Sequence, residues 1–151
     1  MHPRAAVVPL AIVFCVLLSG ATGAGSMDSQ AAPSGPPAAA RRWQPMPLFP
    51  AGASVLLLLG DPLREPGYMY VRFPAGYEPP LHSHKASERI LVNRGTLMLR
   101  TAYGDEMRKP EGAYFVIKSG LVHETMCVGP EDCFCYISLD RAFDVIPFLK
   151  P

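Results

Sequence analysis

The chain has 151 residues, of which 18% are charged, and its formal net charge is only +1. It contains no basic stripe and no ladder of aromatic residues, which argues against nucleic acid or an anionic membrane surface as a partner. Its length favours one domain rather than two.

The N-terminus is typical of a secretory signal peptide. A short basic start, Met1–Arg4, precedes an apolar run over Ala5–Leu18, and small residues follow. This layout predicts cleavage after Gly23 or Ala24. The apolar run is short for a membrane span. We therefore expect residues 1–24 to be a cleaved signal and the mature protein to be exported, periplasmic or secreted, without a membrane anchor. A retained N-terminal anchor is the alternative.

The next segment is predicted to be a flexible linker. Residues 25–42 are rich in Ala, Gly, Ser and Pro and end in Arg41 and Arg42. Such a composition buries little apolar surface and therefore forms no core of its own. The remaining residues, 43–151, are predicted to be the folded domain.

The domain is predicted to be all-β, because short apolar runs alternate with turn signals rich in Gly and Pro. Two hairpins are expected, one around Arg94-Gly95 and one around residues 129–132. One short helix is expected over Asp140–Leu149. Many short strands with frequent turns indicate a β-barrel or sandwich. The predicted strands are Val55–Leu59, Tyr68–Phe73, Glu88–Asn93, Thr96–Tyr103, Tyr114–Ile117, His123–Val128 and Cys133–Leu139.

Three of the four histidines have the spacing of a single metal site. His82 and His84 are two residues apart, so on a strand their side chains point to the same side. Glu88 follows closely, and His123 lies in a later segment. If neighbouring strands bring the four side chains together, three nitrogens and one oxygen would hold a divalent cation. Coordination positions would remain open for a substrate or dioxygen.

The segment around the first two histidines resembles the first motif of the cupin superfamily. It reads GYEPPLHSHKASERILVNRG and fits G-x5-H-x-H-x3-E-x6-G at every fixed position. Those positions are Gly76, His82, His84, Glu88 and Gly95.

A second segment resembles the second cupin motif, G-x5-P-x-G-x2-H-x3-N. Gly112, Gly120 and His123 match it. Lys118 stands where proline is usual, and Cys127 stands where asparagine is usual. Neither change removes a predicted ligand.

The resemblance covers roughly residues 45–140 and implies a single-domain, cupin-type double-stranded β-helix, or jelly-roll barrel. It implies His82, His84 and His123 as metal ligands, with Glu88 as a fourth ligand or as a catalytic acid or base. These ligand types suit Fe(II), Mn(II), Ni(II), Cu(II), Co(II) or Zn(II) and do not separate them. A homodimer formed through sheet edges is expected from the resemblance alone.

Strand alternation predicts a mainly apolar pocket around the cation. Ile90, Val92 and Thr125 should point inward with the ligands and bind a small molecule. Ordinary core packing is the preferred interpretation of three further residues, Tyr70, Met98 and Tyr114.

Three cysteines remain after the predicted cleavage: Cys127, Cys133 and Cys135. Oxidising conditions outside the cytoplasm favour one disulfide among them. Across the predicted hairpin, Cys127 could face either Cys133 or Cys135, whereas the latter two lie too close along one strand to pair well. The alternatives are a Cys127 thiol near the metal and simple buried thiols.

Three functions are compatible with this site, because the fold alone does not choose among activities. The first is a metal-dependent oxidoreductase, a dioxygenase acting on a small organic substrate, since the ligand set resembles that of quercetinase-type cupins. There Glu88 would bind the metal or take a proton from an enol or phenol. The second is a non-catalytic exported module that binds a metal and a ligand, or a sensor. The third is a metal-assisted isomerase or lyase.

Overall fold

The computed structural model describes residues 41–149, and these residues form two antiparallel β-sheets without an α-helix. The all-β prediction is therefore confirmed. The predicted signal peptide and nearly all of the predicted linker lie outside the described residues. Within the described range, no helix is long and apolar enough to cross a membrane. The strands are β1 (Gln44–Pro45), β2 (Ser54–Leu59), β3 (Tyr68–Phe73), β4 (His82–Ser83), β5 (Glu88–Arg94), β6 (Thr96–Thr101), β7 (Glu106–Pro110), β8 (Tyr114–Ile117), β9 (His123–Val128), β10 (Cys133–Leu139) and β11 (Ile146–Pro147).

The two sheets enclose one core between their inner faces. The six-stranded sheet has the order β1-β2-β3-β10-β5-β8, and the five-stranded sheet has the order β11-β4-β9-β6-β7. Along β10, Cys133, Cys135, Ile137 and Leu139 are buried and alternate with partly exposed residues. Because each buried aliphatic side chain contributes about 1.5–3 kcal/mol, this alternation fixes which side of each strand faces the core.

The seven predicted strands are all present, with ends that differ by at most two residues. The structure adds four strands to these seven, and one of them, β4, lies at His82, where the histidine spacing had assumed a strand. Three of them, β1, β4 and β11, have only two residues and therefore no readable alternation. The fourth, β7, is polar and largely exposed, so it lacks an apolar run.

Both predicted hairpins are wrong, because in each case the two strands belong to different sheets. β5 pairs with β10 and β8, whereas β6 pairs with β7 and β9. In the same way, β9 lies in the five-stranded sheet and β10 in the six-stranded one. The turn residues are the ones expected, but each turn carries the chain across the barrel from one sheet to the other.

Gly95 makes one of these crossings possible. Its φ is +81°, a left-handed conformation that L-residues with side chains rarely adopt. A Cβ atom at this position would lie 3.0 Å from the Sγ of Cys133 and 3.1 Å from its Cα. The first motif therefore ends in glycine for two steric reasons, the backbone conformation and the close approach of β10.

A disulfide between Cys127 and Cys133 joins the two sheets. Cys127 lies on β9 and Cys133 begins β10, with their Cα atoms 5.7 Å apart. This is one of the two pairings left open by the sequence, although it spans a crossover between sheets and not a hairpin. Cys135 is a buried free thiol, and burial raises its pKa well above the usual range.

The helix predicted over residues 140–149 is also wrong. This segment contains bends and the short strand β11. Its backbone N–H groups bond to the barrel: Phe143 donates to the carbonyl of Pro62, and Phe148 donates to that of Leu81 at 3.0 Å. Pro147 also lacks the N–H that a helix interior requires. The segment is therefore held against the barrel by bonds to other parts of the chain.

Thiol counting in denaturant, without reductant, tests the disulfide. Cys127→Ser and Cys133→Ser should each add one free thiol relative to the unaltered protein, because each releases the partner cysteine. Cys135→Ser should remove one. Closing this short loop should stabilise the fold by about 2 kcal/mol, measured as the shift in urea unfolding on reduction. A loss of one thiol in the Cys127 variant would show that this residue is unpaired.

Candidate metal centre

The histidines are brought together by strand pairing and by one turn. His82 on β4 and His123 on β9 are direct cross-strand partners. His84 follows β4, and its carbonyl accepts a hydrogen bond of 2.8 Å from the N–H of Gly120. Glu88 begins β5 on the opposite sheet, beside Leu139 on β10. The four residues therefore come from both sheets and meet in the barrel interior.

Each imidazole is fixed by a hydrogen bond from its Nδ1 atom to a backbone carbonyl. His82 Nδ1 bonds to the carbonyl of Pro80 at 2.7 Å, and His123 Nδ1 bonds to that of Leu121 at 2.9 Å. His84 Nδ1 makes a short hydrogen bond to the carbonyl of Asp144. A carbonyl can only accept, so each Nδ1 carries the proton and each neutral ring keeps its lone pair on Nε2.

The three rings converge in a buried space. One ligand nitrogen from each of His82, His84 and His123 lies within 4.8 Å of the other two. Their exposed fractions are 2%, 3% and 1%. His84 Nε2 is fully buried without a hydrogen-bond partner. A buried acceptor without a hydrogen bond destabilises the fold unless another group or an ion binds it. The arrangement therefore fits a cation that the three imidazoles could hold.

Burial also keeps two of these rings, those of His82 and His123, uncharged. Desolvation lowers the pKa of His82 and that of His123 to about 4, although the hydrogen bonds to backbone carbonyls act in the opposite direction. Nearby imidazoles make a smaller contribution to the lowering of both pKa values. Both rings are therefore neutral at neutral pH, which is the state that ligates a metal.

Glu88 borders two of the three imidazoles. Its Oε1 lies 3.7 Å from His84 Nε2, and its Oε2 lies 3.8 Å from His123 Nε2. Burial raises the pKa of Glu88, and His84 offsets part of that shift. The carboxyl group therefore faces the same space as the ring nitrogens and, without a cation, favours its protonated form.

The space around the cluster is small and mostly apolar. Its volume is about 20 Å³, close to the room needed by one or two water molecules. Ile90 and Thr125 line it, as predicted, but Val92 does not. The other lining residues are Met46, Phe49, Phe73, Pro79 and Ile137.

Tyr70, Met98 and Tyr114 neither line this cavity nor belong to the buried core. Strand alternation explains the position of Tyr70 on β3, because its two neighbours, Met69 and Val71, point into the core. Cys127 is bonded to Cys133 and offers no thiol to the site.

Two aromatic residues that the sequence did not indicate pack directly on the imidazoles. The ring centroid of Phe49 lies 5.0 Å from that of His82, and the centroid of Phe143 lies 4.9 Å from that of His84. The two phenylalanines stack on each other at 5.9 Å. They come from the segment before β2 and from the segment expected to be helical, so no strand pattern pointed to them.

The two departures from the second motif leave the site geometry in place. Leu121 N–H still donates to the carbonyl of Lys118 at 3.1 Å, and Gly120 has a φ of +78°. The turn therefore forms without proline. Leu121 in turn presents the carbonyl that orients His123.

The sequence also matches a family of known domains. Residues 37–142 match the family described as the ChrR cupin-like domain. The chain belongs to this family. The match confirms the cupin resemblance carried by the two motifs, and it spans every histidine of the site. No curated protein matches the chain at a significant level.

Solved cupin structures share the fold of this cupin-like domain at low sequence identity. The polyketide cyclase RemF from Streptomyces resistomycificus is 16% identical, with coverage of 78% of this chain and 87% of RemF and a TM-score of 0.61. The DMSP lyase DddQ from Ruegeria pomeroyi is 19% identical, with coverage of 74% of this chain and 62% of DddQ and a TM-score of 0.58. An oxalate oxidase solved with glycolate is 23% identical, with coverage of 64% of this chain and 55% of the oxidase and a TM-score of 0.51. These likenesses establish the jelly-roll cupin fold.

Substitution of the histidines tests the metal centre. His82→Gln and His123→Gln should each weaken Zn(II) or Co(II) binding by at least about 100-fold, more than the loss of an outer-sphere partner usually costs. Metal content by elemental analysis and affinity by chelator competition provide the measurement. Ser83→Ala is the matched control, because Ser83 adjoins His82 but is only partly buried and lines no part of the cavity. Unchanged metal content in both histidine variants would refute the ligand assignment.

Proposed function

We propose that this cupin-like domain binds one divalent transition metal through His82, His84 and His123 and acts as a metal-dependent dioxygenase on a small organic substrate. The observation that carries the proposal is the convergence of three imidazole nitrogens, within 4.8 Å of one another, in a buried cavity. Glu88 completes the site as a further ligand or as an acid or base.

The donor set supports this assignment. Three imidazoles and one carboxylate suit Fe(II), Mn(II), Ni(II), Cu(II), Co(II) and Zn(II), and affinity alone does not select among them. When bound, the cation would supply a Lewis acid and, if redox-active, a partner for electron transfer with dioxygen. Cleavage of a C–C bond with both oxygen atoms of dioxygen entering the organic products takes all four electrons from the substrate, so this kind of dioxygenase needs no external reductant.

The residues of this chain would bind, orient and shield the substrate. Phe49 and Phe143 cover the imidazoles and exclude water, which strengthens electrostatic interactions inside the cavity. Glu88, as a buried carboxylate with a raised pKa, is suited to take a proton from an enol or phenol and hold it on an Oε atom.

Two other functions remain as outcomes of the test. The neighbours RemF and DddQ are named as a cyclase and a lyase, and cyclisation and elimination are reactions that need no net oxidation. A metal-assisted isomerase or lyase would therefore form product in the absence of dioxygen. A binding or sensor module would retain its ligand unchanged.

Dioxygen uptake distinguishes these functions. Protein loaded with Fe(II), Mn(II), Ni(II) or Cu(II) is supplied with enolisable 1,3-dicarbonyl compounds and catechols in a sealed oxygen-electrode cell. We expect uptake matched by product formation, abolished in His82→Gln and lowered about 100-fold or more in Glu88→Gln if the carboxyl group transfers a proton. Metal content should persist in the Glu88 variant if this group is not an essential ligand.

Two results would contradict the dioxygenase proposal. Product formation at the same rate without dioxygen would assign an isomerase or lyase. Retention of an unaltered compound through gel filtration, with no product under either condition, would assign a binding module. Ser83→Ala serves again as the control for handling and folding.

A further inference from the structure

A second enclosed space lies beside the histidine cavity, and we refer to it as the side chamber. Val55, Leu57 and Met69 line it from the inner face of β2 and β3. Met46 and Pro47, which follow β1, line it from the N-terminal side, and Phe143 lines it from the C-terminal segment. The lining is therefore almost entirely apolar, and of these residues only Phe143 has a role in the catalytic proposal.

The two spaces differ sharply in size. The side chamber has a volume of about 140 Å³, whereas the histidine cavity has about 20 Å³. An apolar protein cavity of about 150 Å³ is large enough to hold a benzene molecule. The histidine cavity can accept an ion and a few ligand atoms, so the bulk of an organic substrate needs another place close by.

Two side chains connect the spaces. Met46 lines both of them. Phe143 lines the side chamber, and its ring centroid is 4.9 Å from that of His84. Methionine has three rotatable bonds and adapts its shape at low cost, so Met46 is the shared lining residue best suited to move when a ligand occupies both spaces.

The polar residues of the side chamber are held near its rim. The Oδ1 of Asp61 accepts a hydrogen bond of 3.1 Å from Leu63 N–H, and Gln44 is exposed. Leu63 is 48% exposed, which places the rim near solvent. The chamber lining therefore contains no buried charged side chain that could bind a polar group of a ligand.

From size, lining and position we infer that the side chamber is the subsite for a compact apolar group, such as a phenyl ring or a branched alkyl group of similar size. The substrate class is then a small molecule with a metal-binding oxygen group at one end and one uncharged apolar group at the other. This inference rests on the proposed function, because it assigns the metal-binding end to the histidine cluster.

A series of metal-binding probes tests the inference. Acetohydroxamate, benzohydroxamate, phenylacetohydroxamate and 3-phenylpropionohydroxamate share one chelating group and differ in the reach of an apolar ring. Their dissociation constants are measured by calorimetry on the Zn(II)-loaded protein. At least one phenyl compound should bind about 10- to 100-fold more tightly than acetohydroxamate, as burial of a phenyl side chain implies.

A matched pair of variants locates the ring. Leu57→Phe places an aromatic ring in the side chamber and narrows it, so the ratio between the affinity of the tightest phenyl compound and that of acetohydroxamate should fall towards one. Leu56→Phe makes the same change one residue earlier on β2, where Leu56 lies opposite Tyr70 and outside the chamber lining. In this control, the phenyl compound should still bind more tightly than acetohydroxamate by the same factor as in the unaltered protein. Circular dichroism and unfolding curves verify that both variants are folded.

A metal-independent measurement tests the chamber directly. Toluene added to the metal-free protein should shift the NMR methyl signals of Met46 and Met69, which line the chamber. The signal of Met107, on the exposed strand β7, should not move. This measurement also covers the case in which Leu57→Phe fails to fold.

The outcomes separate the two proposals. Equal affinities across the hydroxamate series, or an unmoved Met69 signal in saturating toluene, would overturn the inference and leave the proposed function standing. Failure of every hydroxamate to bind, with metal content intact, would overturn the proposed function and the inference together.

Discussion

Three hydrogen bonds from imidazole Nδ1 atoms to backbone carbonyls are the constraint on which the candidate site depends. The carbonyls belong to Pro80, Leu121 and Asp144, three separate points of the backbone. Because a carbonyl only accepts, each bond fixes both the orientation and the tautomer of its ring. The result is three imidazole nitrogens facing one buried space, which is unfavourable for a protein core unless a cation satisfies them. The proposed metal binding and the proposed role of Glu88 both depend on this arrangement.

The crossovers between the two sheets bring the residues of the site together. Consecutive strands repeatedly change sheets, so His82 and His123 on one sheet face Glu88 on the other. Gly95 allows one such crossing, and the disulfide between Cys127 and Cys133 ties the two sheets together next to it. The C-terminal segment crosses back over the barrel and contributes both Phe143 and the Asp144 carbonyl. Stability and site geometry therefore share the same connections.

The sequence predicts the four polar residues of the site and most of the strands, because both depend on regular spacing. Inward alternation identified Ile90 and Thr125 as cavity residues, and the structure agrees. The hairpins were predicted wrongly because a glycine turn permits either a hairpin or a crossover, and only tertiary packing decides between them. The disulfide partner of Cys127 was left open for the same reason.

Other parts of the site leave no pattern in the sequence. A backbone carbonyl such as that of Asp144 is available whatever its side chain, so its role depends only on where the chain passes. Met46 and Phe49 lie in a proline-rich segment without strand alternation, yet they close the cavity. The helix predicted over residues 140–149 is absent because hydrogen bonds to the barrel replace those that a helix would form.

The most direct test of this account is the tautomeric state of the three buried histidines. Long-range ¹H–¹⁵N correlation NMR on the metal-free protein at neutral pH reports which ring nitrogen carries the proton. The account predicts that His82, His84 and His123 are all neutral and protonated at Nδ1, with bare Nε2 atoms that shift on addition of Zn(II). Protonation at Nε2 in any of the three rings, or charged rings at neutral pH, would contradict it.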